Sequence, residues 1–248
     1  MSRKPKSGDE ADEQLPLETP GDPVGRSESG PGPSEAAPAE PDHGSPDDLF
    51  RRAHALEREG HPQEAIEAYG ALLEKAPGHL KARNNLGVLH DRAGAHQAAV
   101  EHFERALEID PENPEVLTNL GAALGAMARF DDAERELRRA QKLDPGRTEI
   151  RTNLGILYFR RGRYDLAEAE LRWVCEEEPE HAVAHFYRGE ALNRMGRVDE
   201  ALSTLRRTTE LQPGNARAYY IMGILFDKKH LPNEAAQMYK KARELSGQ

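Results

Sequence analysis

From residue 46 onward, apolar residues return at three- and four-residue intervals with charged residues between them, the pattern of helices that are apolar along one face. A longer period overlies it. The pattern repeats every 34 residues without insertion, in units 46–79, 80–113, 114–147, 148–181, 182–215 and 216–248, the last one residue short. Self-similarity at this length marks a stack of small units, each burying its apolar face against its neighbours. Each unit has room for two antiparallel helices and a tight turn.

Within the units, particular positions repeat. The eighth residue is Ala53, Gly87, Gly121, Gly155, Gly189 or Gly223, and the twentieth is always alanine: Ala65, Ala99, Ala133, Ala167, Ala201 and Ala235. Glycine inside a helix costs roughly 1 kcal/mol relative to alanine, so a register of glycines needs a packing reason, which close approach of a second helix supplies. The twenty-fourth position is large throughout: Tyr69, Phe103, Leu137, Leu171, Leu205 and Tyr239. Pro77, Pro111, Pro145, Pro179 and Pro213 close the second helix, because proline lacks an amide proton and restricts the residue before it. Gly60, Gly94, Gly162 and Gly196 mark the turn inside four pairs, and Ala128 and His230 stand there in the third and sixth. Arg52 and Arg188 replace the apolar seventh residue of the first and fifth units.

A tiny eighth residue, an alanine at the twentieth, a large twenty-fourth and a closing proline, six times in phase, resemble the tetratricopeptide repeat (TPR) family over residues 46–248. The resemblance implies an all-α fold, a right-handed α-solenoid of six tandem TPR helix pairs. It also implies a non-catalytic protein–protein interaction module, an adaptor or scaffold that holds an extended peptide segment of a partner in a concave groove. In related solenoids positions 2, 5, 6, 9, 12 and 13 of each unit face that groove. Here the sixth position holds Asn85, Asn119 and Asn153, with Asn84 beside the first. Amide side chains both donate and accept, so a row of them can satisfy the backbone of an extended peptide of any sequence. The row resembles the asparagine ladder in the repeat domain of O-linked N-acetylglucosamine transferases; a generic packing role is the alternative.

Toward the C-terminal units the groove positions turn aromatic, with Phe159, Phe186, Tyr187 and Tyr220 as anchors for apolar ligand side chains where exposed and as core where not. The thirteenth position supplies Arg92, Arg160 and Arg194, in line with Arg58 and Lys228. A basic line suggests an acidic peptide, although the helix macrodipole alone also favours cations at this position. The chain stops directly after the sixth pair, so that end is expected to expose Leu225, Met238 or Leu245 and to offer a surface for self-association. Service as the targeting subunit of an enzyme complex is a further alternative.

Residues 1–45 differ in character. They hold eight prolines, six glycines and no aromatic residue, and are expected to form a disordered tail. Ten acids from Asp9 to Asp42 against Arg3, Lys4, Lys6 and Arg26 give this segment −6 of the formal net charge of −10. An acidic chain is a poor nucleic-acid ligand, and no apolar stretch is long enough to insert into a membrane. The start shows no apolar signal region, so a cytoplasmic location is expected. The single cysteine, Cys175, excludes an internal disulfide and a cysteine-rich zinc site. His90, His96 and His102 recur every six residues, a spacing that does not hold them on one helix face. No phosphate loop, metalloprotease motif or nucleophile elbow occurs, and no cofactor or metal is expected.

Overall fold

The computed structural model describes residues 44–247; the expected disordered tail lies outside the described residues apart from Gly44 and Ser45. Six helix pairs follow one another: α1 (Pro46–Arg58) with α2 (Pro62–Lys75), α3 (Leu80–Arg92) with α4 (His96–Ile109), and α5 (Pro114–Ala126) with α6 (Phe130–Leu143). The second half continues with α7 (Thr148–Arg160) and α8 (Tyr164–Glu177), α9 (Ala182–Arg194) and α10 (Val198–Leu211), and α11 (Ala216–Lys228) and α12 (Pro232–Ser246). The chain is all-α, an α-solenoid in which each helix packs on the next and consecutive first helices also touch, α5 with α7 and α7 with α9.

Local chemistry sets the boundaries. Ser45 and Asp48 form a capping box ahead of α1, while Asn113, His79, His181 and Asn215 accept a backbone amide at the starts of α5, α3, α9 and α11. Each first helix ends in a left-handed residue. Four of these are glycines, Gly60, Gly94, Gly162 and Gly196, but Ala128 and His230 take the same conformation at φ 58° and 59°. The following amide then returns to the last turn, as where Arg129 N donates to Leu124 O at 2.9 Å.

The eighth-position glycines lie against the large twenty-fourth residue. A Cβ on Gly87 would sit 2.5 Å from the Phe103 ring, and one on Gly155 or Gly121 2.5 Å from Cγ of Leu171 or Leu137. The helices of each pair are therefore close enough for the large side chain of the second to lie flat on the backbone of the first.

Most buried residues form one cluster running from Val88 to Ala235, while the first pair with Ala82, Leu86 and Leu89 of α3 forms a second around Ala53, Tyr69 and Leu72. The boundary between the two runs through α3, whose Val88 belongs to the larger cluster, and Arg52 of the first unit is exposed. Arg188 in the fifth unit is half-buried instead, and its Nε donates to Oε1 of the buried Glu168 at 3.2 Å. A buried carboxylate there compensates for the missing apolar residue.

Candidate protein-binding groove

The asparagine row lies mostly inside the molecule. Asn119 Nδ2 donates to Asn84 Oδ1 at 2.9 Å, and Asn84 Nδ2 donates to Glu115 Oε1 at 2.8 Å, so these amides join α3 to α5. Asn119 and Asn153 are fully enclosed, and neither side-chain polar atom of Asn153 has a protein partner. Asn85 is half-buried and donates to the Tyr69 hydroxyl at 2.9 Å. Because consecutive first helices pack directly on one another, sixth-position side chains in the middle of the array are sealed in the seam between them. That corrects the expectation that Asn119 and Asn153 present their amides to a partner.

The aromatic set divides in the same way. Phe186 and Tyr187 are buried, their rings 5.3 Å apart and edge-on, with the Arg217 guanidinium 5.6 Å over Phe186. They belong to the core, not to an exposed anchor set. Phe159 is half-buried against Tyr187 and Tyr164. Tyr220 alone of the four is open, 40% exposed, with its ring 5.6 Å from that of Tyr239. Tyr239 donates its hydroxyl to Asp227 Oδ2 at 2.7 Å, and burial with this bond pushes its pKa up.

The thirteenth-position cations also separate. Arg92 pairs with Glu57 at 3.6 Å, and Arg160 Nη1 donates at 3.4 Å to the carbonyl oxygen of Gly125, in the last turn of α5. Those two positions serve neighbouring helices, as the macrodipole alternative allows. Lys228 reaches Asn193 Oδ1 at 2.8 Å. Arg194 is exposed and forms no ion pair among the described residues.

Arg194, Lys228 and Tyr220 share an open concavity of about 1030 Å³ between α9, α11 and the end of α12. Its lining adds Arg217, Arg243, Ile224 and Glu190, making four cations against one carboxylate. Glu190 is almost fully buried and lies 2.9 Å from Arg217 Nε, so it is already neutralised. Arg217 and Ile224 occupy groove positions of the sixth unit and were legible by register. Arg243 sits on a second helix, outside that register, and only the fold brings it to the site. A smaller concavity of about 330 Å³ at the other end is lined by Phe50, His54, Lys81, Asn84, Asn85 and Glu115, among others.

Leu225, expected at an exposed end, is fully buried, whereas Met238 and Leu245 are half-buried. The His90 and His102 rings stack in parallel at 5.3 Å, and burial, with His90 and two nearby arginines, lowers the His102 pKa to about 4. His96 instead lies 2.7 Å from Asp91. Among the described residues no three histidine, cysteine or carboxylate side chains are grouped to hold a metal, and no helix is long and apolar enough to cross a membrane.

Comparison with known proteins agrees with this architecture. A tetratricopeptide repeat model matches residues 50–114, 152–216 and 194–248, and a second matches 92–144 and 126–174. No curated protein sequence matches the chain. Among solved structures, MamA from MSR-1 is 28% identical with a TM-score of 0.59, covering 68% of this chain and 97% of its own. A tetratricopeptide repeat protein from Parabacteroides merdae is 21% identical, with a TM-score of 0.65 over 81% of this chain and 78% of its own. YrrB, a TPR protein with an unusual peptide-binding site, is 23% identical, with a TM-score of 0.58 over 73% of this chain and 93% of its own. At these two identities the likeness speaks to the fold alone.

Proposed function

Because this chain belongs to the tetratricopeptide repeat family, a family of protein–protein interaction modules, we propose that the concavity between α9, α11 and α12 binds an extended acidic segment of a partner protein. The observation that carries this reading is the surplus of cations beside one exposed aromatic ring: Arg194, Arg217, Lys228 and Arg243 line the same concavity as Tyr220, and its one lining carboxylate, Glu190, is paired with Arg217, which leaves three cations in excess. Arginine guanidinium groups hold carboxylates through charge-assisted hydrogen bonds. Tyr220 and Ile224 offer an apolar seat beside them, the combination of charged rim and aromatic anchor typical of binding hot spots. The groove is assigned recognition, with no reacting group, in keeping with a fold that generally serves as a non-catalytic scaffold.

The test is fluorescence anisotropy with a short labelled peptide of glutamate, leucine and proline. Arg194→Glu with Arg243→Glu should weaken binding at least about tenfold at low salt, since each reversal replaces an attraction by a repulsion. Tyr220→Ala should weaken it by about 1–2 kcal/mol. Both sites are exposed, so circular dichroism should show an unchanged fold. Wild-type affinity in both variants would place binding elsewhere.

A further inference from the structure

We infer that residues 9–18 of this same chain occupy the C-terminal groove and compete with its partner. This rests on the groove reading above and adds an occupant to it. The stretch Asp9-Glu10-Ala11-Asp12-Glu13-Gln14-Leu15-Pro16-Leu17-Glu18 carries five carboxylates, no lysine or arginine, and two leucines. Val24 apart, Leu15 and Leu17 are the only larger aliphatic residues before Gly44, and they adjoin the densest run of acids. The groove is the complement of that pattern, lined by the exposed Arg194 and Arg243 together with Tyr220 and the half-buried Ile224. Of the acids farther along, Asp22 stands alone near Val24, and Glu28, Glu35, Glu40 and Asp42 have no aliphatic residue larger than alanine beside them, so they match only the charge.

The distances permit docking within one molecule. From α1 to α11 there are five steps between successive first helices, roughly 10 Å each, or about 50 Å in all. The 25 residues from 19 to 43 can span about 85 Å when extended at about 3.4 Å per residue. Tethering converts the encounter into an intramolecular one, so even a weak match is populated without any partner present. Carboxylates meeting guanidinium groups at an exposed site form a salt-sensitive contact, which a more acidic or more apolar partner segment displaces.

The experiment uses the full chain, unchanged or carrying Asp9→Asn, Glu10→Gln, Asp12→Asn, Glu13→Gln and Glu18→Gln, against the labelled glutamate–leucine–proline peptide. The neutralised chain should bind the probe about fivefold tighter, the factor expected when the groove is self-occupied about four-fifths of the time. That gap should close as salt is raised, and also in the Arg194→Glu, Arg243→Glu background. Equal affinities, with binding still lost on groove reversal, would overturn self-occupation and leave the groove reading standing. No binding by either chain would overturn both. A gap that widens with protein concentration would assign the segment to a neighbouring copy and overturn docking within one molecule.

Discussion

At Gly121 an added Cβ would stand 2.5 Å from Leu137 Cγ and 3.3 Å from the carbonyl oxygen of Ala133. A rotamer change can relieve the first contact but not the second, because the carbonyl belongs to the backbone of α6. Gly121→Ala should therefore destabilise the chain by about 1–2 kcal/mol net, overpacking outweighing the roughly 1 kcal/mol that alanine gains in helix propensity. Gly70, within α2, is the control. A Cβ there meets nothing within 4 Å, so Gly70→Ala should stabilise by about 0.5–1 kcal/mol. Urea unfolding of both variants measures the contrast, and equal shifts would remove the packing explanation for the eighth position. This part of the fold was readable because the requirement is steric and local. The fate of the asparagines was not. Asn85 and Asn119 share a register position, yet one is half-buried and the other fully enclosed, a difference set by neighbouring units that a single repeat does not encode.

Among the elements, the turns show where sequence and structure part. Four first helices end on glycine with φ between 72° and 81°, and the sequence marks each one. Ala128 and His230 adopt the same left-handed conformation without glycine, since the 34-residue register and the packing of α6 and α12 fix the path of the chain. A residue with a Cβ in that region is strained by roughly 1–2 kcal/mol, part of which glycine's greater unfolded-state freedom offsets. Ala128→Gly and His230→Gly should accordingly raise stability by about 0.5–1 kcal/mol each, and together by about the sum, because the turns lie three units apart. Thermal unfolding of the single and double variants checks this. A loss of stability would mean that the two side chains make compensating contacts. The boundary between the two core clusters belongs to this scale as well: it runs through α3, which gives Leu86 and Leu89 to the cluster of the first pair and Val88 to the larger one.

For the whole molecule, the repeat register was enough to place every first helix on one side, but not to say where that side is open. The sixth-position side chains in its middle, Asn119 and Asn153, are enclosed where α5 and α7 touch their neighbours, and two open concavities lie toward the two ends. The charge asymmetry of the larger one depends on Arg243, contributed by α12, and on the burial of Glu190 against Arg217. Neither follows from a position within a repeat. Hydrogen exchange with and without the acidic peptide locates the binding surface directly. Protection on binding should be confined to α9, α11 and the second half of α12, and should vanish when Arg194 and Arg243 are reversed. Protection centred on α3 and α5, beside Asn84 and Asn85, or none at any helix, would contradict the assignment of the C-terminal groove.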